Sequence, residues 1–150
     1  MAGKDWLFTW PLLIYGVIRI INVVVYLSNV AIFDAYRAIR HRVYSYRRLV
    51  ICLLHNYFEV IFWFAVFYRM SPSWFTNEYI CTNSLTGSLY YSVITISTLG
   101  YGDIIPKNNF AALICILETL VGIFLALVIF SIFVSWIPKS GTKDFKERNP

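Results

Sequence analysis

The chain has 150 residues, of which 59% are apolar, 19% aromatic and only 14% charged. An ordinary soluble domain is about 45–50% apolar and about 25% charged, and one this small leaves much of its surface in water, so a soluble globular domain is excluded. With about 20 apolar residues needed per spanning helix there is room for three or four spans, too few for a secondary transporter built from repeats within one chain.

The first apolar run extends from Trp6 to Phe33, interrupted by Arg19, Asn22 and Asn29. It is longer than a signal-peptide core and no small-residue cleavage motif follows, so residues 1–33 are predicted to hold an uncleaved hydrophobic helix. Residues 34–48 carry Arg37, Arg40, Arg42, Arg47 and Arg48 against Asp34, a net charge of +4. Tyr36, Ile39, Val43, Tyr46 and Val50 recur at steps of three and four. This pattern predicts an amphipathic helix in the headgroup layer, its arginines near anionic lipid. Arg37 and Arg40 start a voltage-sensor spacing that fails at the next step, where Val43 and Tyr46 stand.

A second apolar helix is predicted over residues 49–68, carrying His55, Asn56 and Glu59. The stretch after it, Arg69 to Asn83, has no net charge. Residues 84–97 are too short and too polar to span a bilayer, yet too apolar for an exposed loop. A short re-entrant helix capped by Asn83 or Ser84 fits them. Residues 98–103, Thr-Leu-Gly-Tyr-Gly-Asp, alternate glycine with other residues. Glycine reaches positive φ without steric strain, so such a run can turn successive carbonyls to one side. A third long helix is predicted over 109–136, with Glu118 as its only charge.

The tail, residues 137–150, has a net charge of +2. The positive-inside rule puts this tail and residues 34–48 in the cytoplasm, and the 69–108 region and the N-terminus outside. The expected setting is therefore a multi-pass protein of the cell membrane. These basic stretches account for most of the overall charge of +5, which removes the motive for nucleic-acid binding. Cys52 and Cys115 lie in apolar runs and Cys81 in a polar one, without the spacing of a disulfide framework or a zinc site. His41 and His55 stand too far apart in context for a metal pair.

On residues Thr98 to Asp103 the chain resembles the potassium-channel pore family, whose filter signature is Thr-x-Gly-Tyr-Gly-Asp. Chance would produce that match in a chain this long roughly once in ten thousand. The resemblance covers about residues 49–136, an outer helix, a pore helix and an inner helix in the required order. In plan it is similar to the simple bacterial two-helix channels, in which a tryptophan stands where Trp136 falls.

The resemblance implies an all-α membrane protein and a homotetramer. Four copies would conduct potassium passively through rings of carbonyls from Thr98, Leu99, Gly100 and Tyr101, with the Thr98 hydroxyl adding one ring. Gly102, Asp103, Tyr90 and Tyr91 would support the filter. Gly122 would be a hinge, or a packing contact against the pore helix. Thr119, Ile123, Ala126, Phe130 and Val134 would line the cavity, Phe130 and Val134 forming a hydrophobic gate. No covalent chemistry and no cofactor beyond the permeant potassium ion are implied.

The sequence departs from the family at two points. Leu99 replaces the usual β-branched residue, and Ile94 stands where a pore-helix glutamate buttresses the filter aspartate of some members. Alternatives left open are a pore piece of a larger, less selective cation channel, a transporter subunit and a non-conducting accessory protein. An odd number of spans with the N-terminus outside favours a truncated pore, or a first segment that does not span.

Charges within a bilayer are expected to be paired or functional. Counted from the outer end, Arg19 lies roughly 18 Å deep, and Glu59 and Glu118 roughly 14 Å. An Arg19–Glu59 ion pair docking the first helix on the outer helix is expected, against a local His55–Glu59 pair at i, i+4. Glu118 points away from Ile123, which predicts a buried, hydrogen-bonded or protonated carboxyl behind the filter.

Overall fold

A computed structural model describes residues 6–30, 46–77 and 84–135. The basic stretch up to residue 45, Trp136 and the expected tail lie outside these residues. In chain order come α1 (Trp6–Asn29), α2 (Tyr46–Met70), a 3-10 turn (Pro72–Trp74), β1 (Phe75–Asn77), α3 (Leu85–Ile96), β2 (Ile104–Pro106) and α4 (Asn109–Ser135). Within them Trp10–Asn29, Val50–Met70 and Asn109–Val134 are long and apolar enough to cross a membrane. The fold is mostly helical, and the all-α expectation needs one correction for the two strands. A second concerns a boundary: α2 begins at Tyr46, so it takes in the last three residues of the 34–48 stretch.

Sequence explains where the helices start and stop. Ser84 is extended (φ −89°), and its Oγ accepts from the Gly87 amide at 2.9 Å, a standard N-cap for α3. Asn108 does the same for α4, its Oδ1 accepting from the Ala111 amide at 2.7 Å. The strands form an antiparallel ribbon pairing Phe75 with Pro106, Thr76 with Ile105 and Asn77 with Ile104. Thr76 Oγ1 donates to the Ile105 carbonyl (3.0 Å), and the Lys107 amide to the Trp74 carbonyl (2.7 Å). The ribbon thus ties the chain leaving residue 103 to the chain leaving α2.

One core joins all four described helices. Val60, Phe64 and Tyr68 of α2 meet Tyr91 and Ile94 of α3, Leu125 and Val128 of α4, and Val23 and Leu27 of α1. Phe75, Tyr68 and Tyr91 stack edge to face with centroids 4.8–5.2 Å apart, fastening ribbon, α2 and α3 together. Gly16 lets α1 lie on the Trp63 ring, where an added Cβ would sit 2.7 Å from the indole carbon Cε3. From Gly16 to Arg19 the facing residue on α2 falls from Trp63 to Glu59, so the two helices run antiparallel.

Candidate functional site

The site is built from the C-terminal end of α3 and the backbone that leaves it. Thr98 has φ +61°, Gly100 +53° and Gly102 +80°, so residues of positive φ alternate with residues of negative φ. Glycine takes this region readily, whereas a threonine there is strained, the kind of outlier that marks functional backbone. The Leu99 and Gly100 amides both donate to the Ile94 carbonyl, at 3.0 and 3.2 Å. In a trans peptide the preceding carbonyl points opposite to the amide, and there are no cis bonds here. The Thr98 and Leu99 carbonyls therefore point away from α3. None of the carbonyls of Thr98, Leu99, Gly100 and Tyr101 accepts a hydrogen bond from a described residue.

At the far end of the segment Tyr90 stands beside Asp103, which raises the tyrosine hydroxyl above its ordinary pKa. The Ile104 amide donates to Asp103 Oδ1 (3.1 Å). Tyr91, one position on, turns inward instead, and its hydroxyl lies 3.2 Å from Cys115 Sγ. Leu99 and Tyr101 stay 59% and 67% exposed on the single chain.

On α4, Gly122 is buried against α3. A Cβ there would fall on the Ile96 side chain and within 2.7 Å of its carbonyl oxygen, so the missing side chain is what lets the helices touch. Helix α4 runs unbroken through this position. Thr119 is half-buried and donates to the Cys115 carbonyl (2.9 Å). Ile123, Ala126, Phe130 and Val134 are exposed on one side of α4, Phe130 at 66%.

The three intramembrane charges divide into two sites. Arg19 Nε and Nη2 donate to Glu59 Oε1 and Oε2 at 2.6 and 2.7 Å, a two-pronged contact. Trp63 Nε1 adds a longer bond to Oε1 (3.4 Å). Glu59 thus takes its hydrogen bonds from Arg19 and Trp63 rather than His55. Glu118 lies elsewhere, wholly buried between α2, α3 and α4, hydrogen-bonded to the hydroxyls of Tyr68 and Ser92. Sequence reasoning did not pick out Tyr68 or Ser92, nor the Ile94 carbonyl. The one signal available for the hydroxyls was that a buried acid needs polar partners.

These features define a membrane protein in which a short helix, tucked among long ones, presents a strained backbone turn with its carbonyls outward. An ion-channel family profile matches residues 56–139. Among similar proteins are "Two pore potassium channel c" of Oryza sativa subsp. japonica (31% identity, covering 57% of this chain and 19% of that protein) and "Probable potassium channel protein 2" of Methanocaldococcus jannaschii (34%; 39% and 17%). "Potassium channel protein kcv" of Paramecium bursaria Chlorella virus 1 is 35% identical over 41% of this chain and 69% of its own length. No solved structure matches. The chain belongs to the potassium-channel pore family of ion channels. It spans about a fifth of the length of the rice relative and less of the archaeal one.

Proposed function

We propose that four copies of this chain assemble about a common axis and conduct potassium passively, with Thr98 to Tyr101 as the selectivity filter, α3 as the pore helix and α4 as the inner helix. The observation that carries the reading is the run of open carbonyls. Tying the Leu99 and Gly100 amides back to Ile94 leaves the oxygens free, and four-fold repetition turns each into a ring. Such rings replace the water shell of a dehydrated cation, with the Thr98 hydroxyl adding another at the inner end. That all three similar proteins carry potassium-channel names supports the choice of ion.

Other parts of the molecule have consistent roles. Asp103, beside Tyr90, lies at the outer mouth. Thr119, Ile123, Ala126, Phe130 and Val134 line the cavity, and Phe130 and Val134 form the gate. Gly122 sets the contact between inner helix and filter base, and a bend there would open the gate. The 34–48 stretch and the tail face the cytoplasm, the former against anionic lipid. Conduction involves no covalent chemistry and no cofactor.

Purified protein in liposomes under a potassium gradient tests the proposal. Potassium flux that barium blocks, with far slower sodium flux, is expected; no potassium flux, or equal sodium flux, overturns it. Gly102→Ala is expected to abolish selective flux, because a Cβ at φ +80° costs about 1–2 kcal/mol in each of four copies.

A further inference from the structure

Glu118 has no part in the filter chemistry described above, yet it is completely buried. It sits where α2, α3 and α4 converge. Tyr68 on α2 donates to Oε2, and Ser92 on α3 lies within hydrogen-bond reach of Oε1. The same Ser92 Oγ is 2.9 Å from the Ile61 carbonyl.

Counting protons favours the neutral acid. A serine hydroxyl has one hydrogen, and a backbone carbonyl can only accept. If Glu118 were ionised, Ser92 would face two acceptors with one proton, and a buried negative charge would have two neutral hydroxyls for company. If Glu118 carries the proton, every group is served. Tyr68 donates to Oε2, Glu118 donates to Ser92 Oγ, and Ser92 donates to the Ile61 carbonyl.

The surroundings agree. Among the described residues, the titratable side chains around Glu118 are Tyr68 and, further off, Tyr57 from α2, Tyr91 from α3 and Cys115 from α4 itself. All are neutral at ordinary pH. Among the described residues, the cation nearest mid-membrane, Arg19, is already bound to Glu59. A buried carboxylate without a counter-charge takes up a proton instead.

The three-way joint leads directly to the open carbonyls. Ser92 lies two residues before Ile94, whose carbonyl holds the Leu99 and Gly100 amides. One turn beyond Glu118, Gly122 lies against the Ile96 carbonyl. Whatever fixes Ser92 relative to α2 and α4 fixes the frame on which residues 98–101 hang.

We propose that Glu118 is a positioning residue that works as a neutral acid, its proton locking α3 between α2 and α4, so that conduction fails when this proton is removed. The inference rests on the filter reading above and adds its regulation: a channel shut by alkalinity at a site remote from the ion path.

The test uses the full chain in liposomes, with infrared spectroscopy and potassium flux followed from mildly acidic to alkaline pH. At neutral pH the wild type should show a protonated-carboxyl stretch that is missing from Glu118→Gln and shifted in Glu118→Asp. Wild-type flux should be lost over the pH range in which that band disappears. Glu118→Gln keeps the donor and acceptor pattern without a titratable proton, so its flux should persist at alkaline pH. Cys115→Ser should respond like the wild type.

Absence of the band from folded wild type at neutral pH overturns the proposal. So does flux that survives loss of the band, or equal alkaline loss in wild type and Glu118→Gln. If Glu118→Gln does not fold, the shifted band of Glu118→Asp assigns the group, and wild-type flux against its own band remains decisive. Lack of potassium flux at every pH would refute the filter reading and, with it, the coupling, while the spectrum would still report the charge of Glu118.

Discussion

Glu59 and Glu118 are the same residue type on neighbouring helices at similar expected depth, and the protein treats them oppositely. Glu59 lies on the outer face of α2, where its side chain is 16% exposed and Arg19 grips it with two short hydrogen bonds. Glu118 lies at the inner meeting point of three helices, with no exposure and only hydroxyls for partners. The first site joins two charges and fastens a peripheral helix. The second joins neutral groups and, in our proposal, fastens the filter. What separates them is the presence of a cation: an ion pair in an apolar medium needs both members, whereas a lone acid must keep its proton.

The comparison can be broken most severely at the inner site. Glu118→Leu removes one hydrogen-bond partner from each of two buried hydroxyls, and a buried polar group that loses its bond costs about 1–3 kcal/mol. Thermal unfolding in detergent should show a large fall in midpoint, while Glu118→Gln should stay near wild type. A smaller fall is expected from Arg19→Leu, which leaves Glu59 without its counter-charge in a site that is only partly enclosed. Limited proteolysis should then show α1 loosened while potassium flux continues.

The double variant Arg19→Leu/Glu59→Leu sharpens the contrast, because replacing both charges by apolar groups leaves no orphan. Its midpoint should return most of the way to wild type. Failure to recover would mean that the pair contributes net attraction rather than mutual neutralisation. Smallest of all, Gly16→Ala should cost about 1 kcal/mol, because its Cβ would meet the Trp63 ring at 2.7 Å and the half-buried ring can shift. A stability change as large as that of Glu118→Leu would make the α1 interface as critical as the inner joint.

Much of this arrangement was legible before any coordinates. The long apolar runs are governed by bilayer thickness, and helix limits by Ser84 and the polar stretches between runs. Counting depth along each helix brought Arg19 and Glu59 near one level, and helical angle turned Glu118 away from Ile123. The ribbon was not legible, because three residues a side are too few to show alternation and the pairing crosses 29 positions between Thr76 and Ile105. Nor was the choice between Tyr90 and Tyr91 as partner of Asp103. Adjacent positions on a helix differ by about 100° in direction, and only the docked α3 says which one faces outward.

Sequence alone determined the class of molecule, the order of its helices and the glycines that permit the 98–103 backbone, because composition, length and local conformational freedom are properties of the chain itself. Tertiary structure decided the partners: Arg19 with Glu59, Tyr68 and Ser92 with Glu118, Gly122 with Ile96, and Ile94 with the amides of Leu99 and Gly100. The reason is geometric. A hydrogen bond requires its atoms within about 3 Å, a tolerance set by helix rotation and crossing, which no count of residues along the chain contains.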